Sequence, residues 1–175
     1  MPIRSLIRTI PHYPKQGVMF RDITTLLKDG AGFRLTIDEL VQRYTHRAVR
    51  KVAGIESRGF IIGAALAYQL GAGFVPIRKQ GKLPAETIGQ DYELEYGASR
   101  VEMHVDAVNT GEEVLLVDDL IATGGTAEAA CQLIQAAGGS VLECAFVIEL
   151  PELGGRARLE RLGLTVFAEC AFEGH

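Results

Sequence analysis

Residues 114–126 read VLLVDDLIATGGT. Two adjacent carboxylates, Asp118 and Asp119, close an apolar run, and Ala122-Thr123-Gly124-Gly125-Thr126 follows before an alanine-rich stretch. A strand that passes through glycines into a helix prepares an anion seat. The first-turn amides of the helix have no partner within it, and the helix dipole adds partial positive charge there. Glycines at 124 and 125 let a phosphate reach the backbone, and the hydroxyls of Thr123 and Thr126 add donors. Two carboxylates beside a phosphate would repel it unless something lies between. A ribose meets both demands: its hydroxyls donate to Asp118 and Asp119 while its phosphate rests on residues 122–126. A magnesium ion brought by the ligand offsets the remaining negative charge. The plainer alternative, a helix cap preceded by two solvated aspartates, stays open on sequence grounds, although so apolar a strand counts against it. A P-loop does not fit, because no lysine follows the glycines. A dinucleotide fingerprint does not fit either, because the loop holds only a Gly-Gly pair.

Cationic side chains recur at two further places. Arg58 lies in Ser57-Arg58-Gly59, at a strand-to-helix turn, and offers a fork for phosphate oxygens. Arg78, Lys79 and Lys82 cluster just after a second strand; a solvated basic turn is the equal alternative there. Glu102, His104 and Asp106 alternate along VEMHVDAV and suit the wet face of an edge strand better than a metal site. The four histidines and three cysteines show no metal-ligand spacing, and Cys131, Cys144 and Cys170 read as reduced thiols of a cytoplasmic protein.

The elements that must hold these residues alternate along the chain. Ile3, Leu6, Ile7 and Ile10 share a helical face that Pro11 ends, and residues 12–24 read as irregular. Phe33, Ile37, Leu40, Val41 and Tyr44 predict an amphipathic helix. KVAGIE (51–56) and FVPIR (74–78) predict strands, and GFIIGAALAYQL (59–70), apolar nearly all round, predicts a buried helix between them. Residues 79–100 show no sustained period, which in a compact domain points to a functional lid or to elements the pattern does not reveal. VLLVDD suits the middle of a parallel sheet. The helix after it carries Ala127, Ala130, Cys131, Ile134 and Ala137 on one face and stops at Gly138-Gly139. VLECAFVIEL (141–150) and LTVFAE (164–169) complete the strands. The fold class is α/β, a central mostly parallel sheet flanked by helices, with ligands at strand C-terminal ends.

At 175 residues the chain suits one domain. Its net charge of -4 argues against a nucleic-acid partner held by backbone electrostatics, so any basic patch is local and aimed at a small anion. Arg4 and Arg8 interrupt the N-terminal apolar residues, against an export signal, and no apolar run approaches the ~20 residues that span a bilayer, so no membrane association is expected.

The strand, the Asp-Asp pair and ATGGT together resemble the phosphoribosyl pyrophosphate signature of type I phosphoribosyltransferases. GVMFRDIT (17–24), GIESRGFIIG (54–63), IRKQGKLP (77–84) and YELEYG (92–97) extend the resemblance over nearly the whole chain, to the adenine branch of that family. The resemblance implies a single domain over 1–175, with a small hood and base-pocket segment at 1–32 and a flexible lid at 79–100. It implies transfer of 5-phosphoribosyl from phosphoribosyl pyrophosphate to adenine, giving AMP and pyrophosphate, in a purine-salvage homodimer using Mg2+ carried by the substrate, with no metal bound directly by the protein. It places Ser57, Arg58, Arg78, Lys79 and Lys82 on the pyrophosphate side, Met19, Phe20 and Arg21 around the adenine, and Glu95 at the purine as the proton-handling residue. Asp118, Asp119 and residues Ala122, Thr123, Gly124, Gly125 and Thr126 hold the ribose 5-phosphate and the AMP product. A lid keeps water from an oxocarbenium-like ribose, and Gly81, Gly89 and Gly97 let it bend. A transferase of the same fold for another base, and a non-catalytic regulator that senses phosphoribosyl pyrophosphate, stand as alternatives; the chain's length and acidity disfavour the second.

Overall fold

The computed structural model describes residues 2–94 and 96–174. After a 3₁₀ turn at Ile3–Leu6, strands β1 (Arg8–Pro11) and β2 (Met19–Asp22) pair antiparallel as a separate ribbon. The chain continues through α1 (Thr24–Leu27), α2 (Gly30–Tyr44), β3 (Lys51–Ile55), α3 (Arg58–Leu70), β4 (Gly73–Lys79), β5 (Thr87–Leu94) and β6 (Gly97–His104). It then forms β7 (Glu113–Ile121), α4 (Gly125–Ala136), β8 (Ser140–Glu149), a 3₁₀ turn at Pro151–Leu153, α5 (Gly155–Glu160) and β9 (Val166–Ala171). The last seven strands make one sheet in the order β5-β6-β4-β3-β7-β8-β9. Strands β4, β3, β7, β8 and β9 run parallel, and β6 and β5 add to one edge antiparallel.

Strand β7 is central, and its side chains feed both faces. Val114 and Leu116 join a core with Ala127, Ala130 and Ile134 of α4, while Leu115 and Val117 join one with Leu40 and Tyr44 of α2 and Ile62 and Leu66 of α3. A strand buried on both faces must be apolar at every position, which is why VLLV shows no alternation. Each of these side chains, buried completely, contributes about 1.5–3 kcal/mol of transfer free energy. Covered faces force the polar ends of the strand outward to its C-terminal edge, where Asp118 and Asp119 stand.

The structure departs from the sequence expectations in four places. The N-terminal apolar residues form a single 3₁₀ turn and then a strand, because Ile3 and Ile7 anchor in the α2–α3 core while Thr9 and Ile10 pair with Arg21 and Phe20. Residues 19–22, expected to be irregular, are that partner strand. Much of 79–100, expected to be structureless, belongs to a regular hairpin of β5 and β6, which takes in the strand expected from residue 101. Most of β5 is half-buried or exposed on both faces, so it carries no hydrophobic alternation to read, and its order comes from main-chain pairing with β6. Strand β6 is therefore internal, and Glu102 is buried, accepting from the Gly81 amide at 2.9 Å instead of facing water. Helix α3 buries Ile62, Leu66 and Ala67 but leaves Ile61 (44% exposed) and Tyr68 (83% exposed) on its outer stripe.

Candidate functional site

The C-terminal ends of β3 and β7 and the β1–β2 ribbon enclose a cleft of about 760 Å³. One wall is residues 118–127, another is residues 16–21, Arg58 reaches in from the start of α3, and Phe146, Leu150 and Leu153 form an apolar side.

Strand β7 passes through Gly124 and Gly125 into helix α4, the geometry the sequence predicts for residues 118–126. Helix α4 is entered through Gly124 at φ 86°, and no side chain caps its first turn. The backbone donors there stay available to a ligand, and only glycine adopts that turn without strain. From behind, α5 braces the loop: the Gly155 amide donates to the Ala122 carbonyl at 3.1 Å. A Cβ on Gly155 would sit 2.5 Å from that carbonyl oxygen, so only glycine permits this approach. Arg158 of α5 forms a close ion pair with Glu128 in the first turn of α4 and lies against Gly125. This offsets a carboxylate that would otherwise oppose an anion at the same helix end.

Asp118 and Asp119 face the cleft but are not solvated caps. Asp119 is 6% exposed and accepts from Arg58 Nε at 2.5 Å. Asp118 accepts from the Asp119 amide at 2.8 Å. Burial first, then the charge of Asp119, holds the Asp118 carboxyl well above the usual carboxylate range. The Arg58 guanidinium offsets the charge of Asp119, which lowers the cost of bringing a phosphate to the adjoining loop. Arg58, expected on the pyrophosphate side, is here the ion-pair partner of Asp119. It links the two groups of residues that the sequence kept apart.

Met19 and Phe20 line the cleft, with Phe20 half-buried and edge-on to Tyr13 at 5.1 Å between ring centroids. The Arg21 guanidinium turns away. It donates to Thr9 Oγ1 at 2.5 Å and to the carbonyls of Glu173 and Gly174, and it stacks on Phe172. Its contribution to the cleft is its backbone, and its side chain ties the hood to the C-terminal tail. Among the described residues β2 pairs with no strand other than β1, which leaves its other edge outside any sheet. Across the cleft mouth, Lys15 of the hood lies 6.0 Å from the ring of Tyr96 at the tip of the β5–β6 hairpin.

The basic corner forms a separate group. Arg78, Lys79 and Lys82 gather around Glu56 rather than along the wall of residues 118–127. Ser57 is exposed beside them and makes no capping bond to α3. Glu95 lies outside the described residues. Gln16–Val18, Leu150, Leu153, Glu56, Glu128, Gly155 and Arg158 went unread in the sequence. The only signal was PELGG (151–155), a Pro-to-Gly-Gly punctuation that marks the turn into α5.

Among the described residues no three His, Cys, Asp or Glu side chains are grouped to hold a metal ion. The two carboxylates in the cleft wall, Asp118 and Asp119, suit a magnesium ion that arrives already bound to a ligand's phosphates and water.

The phosphoribosyl transferase domain family matches residues 24–161. An adenine phosphoribosyltransferase of Nitrosospira multiformis is 68% identical over 175 residues, covering all of both chains. The crystal structure of adenine phosphoribosyltransferase from Rhodothermus marinus superposes with a TM-score of 0.92 at 48% identity, covering 97% of this chain and 96% of that one. The enzyme of Saccharomyces cerevisiae, complexed with an imino-altritol bisphosphate and adenine, gives a TM-score of 0.89 at 37% identity, covering 95% and 96%.

Proposed function

This chain belongs to the phosphoribosyltransferase family, in its adenine branch, and from that premise we propose how its cleft performs the reaction. The activity is transfer of 5-phosphoribosyl from phosphoribosyl pyrophosphate to adenine, releasing AMP and pyrophosphate in purine salvage. One observation carries the reading: an uncapped helix start and the adjacent aspartates Asp118 and Asp119 share a single cleft with strand β2.

The 5-phosphate rests on the amides and hydroxyls of 122–126, and the ribose diol faces Asp118 and Asp119. Adenine lies between the hood and the apolar side of Leu150 and Leu153, with Phe20 as an apolar face. The free edge of β2 offers neighbouring main-chain acceptor and donor groups, which match an exocyclic amine beside an unprotonated ring nitrogen. An oxo-purine reverses both and leaves buried groups unpaired, a strong basis for rejection.

As pyrophosphate departs, the ribose becomes oxocarbenium-like, so leaving-group charge must meet cations already in place. Arg58 and the corner of Ser57, Arg78, Lys79 and Lys82 supply them. Magnesium, carried in by the substrate, neutralises phosphate charge when bound. The β5–β6 hairpin is the lid: Tyr96 at its tip faces Lys15 of the hood, and closing there excludes water. Glu95 keeps the proton-handling role on family resemblance alone.

A second copy of the chain covers the Ile61–Tyr68 stripe of α3, making a homodimer; the exposed apolar stripe supports this. A cytoplasmic location agrees with three free cysteines, and no helix among the described residues is long and apolar enough to cross a membrane.

The test is competition. With magnesium, phosphoribosyl pyrophosphate and equal adenine, hypoxanthine, guanine and orotate, AMP should be the product. A preference for an oxo-purine would overturn the reading of the hood.

A further inference from the structure

The end of β3 carries a carboxylate that the reaction as described does not use. Glu56 continues the β3–β4 pairing through its amide, which donates to Ile77 O at 3.0 Å. Its side chain turns into the basic corner. It accepts from Lys82 Nζ at 2.6 Å and from the Lys79 amide at 2.7 Å, and it lies 3.6 Å from Arg78 Nε. That last nitrogen is buried and has no hydrogen-bond acceptor in the protein. The Glu56 carboxylate is only 13% exposed, whereas the Lys82 and Arg78 side chains are 45% and 36% exposed. The acid is the fixed member of the cluster and the cations are the movable ones.

We propose that Glu56 is an internal counter-ion that holds Arg78 and Lys82 when no pyrophosphate is present and competes with it for them. The proposal rests on the reading of 78–82 as the pyrophosphate corner. Burial works to raise the Glu56 pKa, but the Lys82 ammonium and the Lys79 amide outweigh it, so the group sits below its usual range and is ionised at neutral pH. An anion arriving at Lys82 therefore displaces an existing carboxylate contact rather than meeting a bare ammonium. The same carboxylate re-forms that contact as product leaves. Glu56 is a positioning residue. It trades affinity for pyrophosphate against release of pyrophosphate, and a purely structural acid would do the reverse by assembling the cations into a tighter seat.

The sign of one substitution separates these. Glu56→Gln keeps the shape and an acceptor for the Lys79 amide but removes the charge. At a half-exposed corner, loss of one opposing charge about one ion-pair distance from the ligand should tighten pyrophosphate by about fivefold. The experiment measures product inhibition by pyrophosphate and the KM and kcat for phosphoribosyl pyrophosphate at fixed magnesium, in the full-length protein, with thermal unfolding alongside. The expected result is tighter inhibition by pyrophosphate with a lower kcat. Weaker or unchanged inhibition in a folded variant would overturn the proposal. Glu56→Asp covers the case in which Glu56→Gln fails to fold. It keeps the charge but shortens the reach, so a counter-ion leaves inhibition near wild type, whereas a scaffold weakens it as Lys82 and the Lys79 amide lose their partner. Lys82→Gln tests the underlying reading. If it leaves pyrophosphate inhibition unaltered, the assignment of the corner fails and the proposal falls with it. If it weakens inhibition while Glu56→Gln does not tighten it, only the counter-ion role fails.

Discussion

Adding one methyl group at Gly155 should loosen the phosphate seat without touching the ligand. A Cβ there would lie 2.5 Å from the Ala122 carbonyl oxygen and 2.7 Å from Ile121 Cγ1. The Ile121 side chain has some freedom, but the carbonyl belongs to the loop itself. Helix α5 must therefore back away, and the Gly155-to-Ala122 hydrogen bond of 3.1 Å lengthens or breaks. Overpacking costs about 1–3 kcal/mol and a lost hydrogen bond about 1 kcal/mol more. For a chain of this size, roughly 2–4 °C of melting temperature follows each kcal/mol, so Gly155→Ala should melt about 4–16 °C lower. Part of that energy appears as misplacement of residues 122–124, and even 1 kcal/mol of it raises KM for phosphoribosyl pyrophosphate about fivefold. Gly154→Ala is the control. It meets no atom within 4 Å, but its φ of 77° strains any other residue. It should lose about 1–2 kcal/mol of stability and keep its KM. Differential scanning fluorimetry and initial-rate kinetics read both quantities. If Gly155→Ala keeps its melting temperature and KM, or if both variants shift KM alike, the bracing of the loop by α5 is refuted.

Two other perturbations carry signs that the structure dictates. Replacing Asp118 and Asp119 together by Asn removes two carboxyl groups from the proposed diol site, and ribose 5-phosphate should bind at least about tenfold more weakly by calorimetry; unchanged affinity would remove the pair from the site. Glu169, on β9, has both carboxylate oxygens buried without a hydrogen-bond partner, and burial, then the charge of Glu39, pushes its pKa up to about 9 from an unfolded value of 4.5. The folded state therefore holds an extra proton, so this contribution to stability is intact below about pH 4.5 and declines as pH rises toward 9. Glu169→Gln should gain about 2–4 kcal/mol on the wild type at pH 8 and little at pH 5; a difference independent of pH would show the group to be unperturbed.

The parallel core was legible because β7 must be apolar on both faces, and only a doubly covered strand reads as VLLV. The anion seat was legible because Gly124-Gly125 between a strand and a helix has few other uses. Hydrophobic pattern failed where strands bury few side chains. The β1–β2 ribbon is mostly half-buried and β5 is half-buried or exposed throughout, so 79–100 looked formless and 19–22 irregular, while Val101 and Met103 of β6 kept a readable alternation. It failed again on α3, whose outer stripe is as apolar as its inner one, so sequence alone does not distinguish a buried helix from an unpartnered surface. Of the site, residue types were readable but partnerships were not. Nothing local says that Arg58 reaches Asp119, that Glu56 gathers Arg78 and Lys82, or that Arg158 stands behind Gly125. These contacts join positions that lie 61, 26 and 30 residues apart for Arg58–Asp119, Glu56–Lys82 and Glu128–Arg158. The Arg21 side chain shows the same limit from the other direction, since a motif match located the residue and the fold sent its guanidinium elsewhere.

A crystal structure of the protein with AMP tests the central claim most directly. The account predicts the phosphate oxygens within hydrogen-bonding distance of the amides of residues 123–126, the ribose hydroxyls on Asp118 and Asp119, and the purine edge along β2. A phosphate bound away from the start of α4, or a ribose turned from the two aspartates, would contradict it.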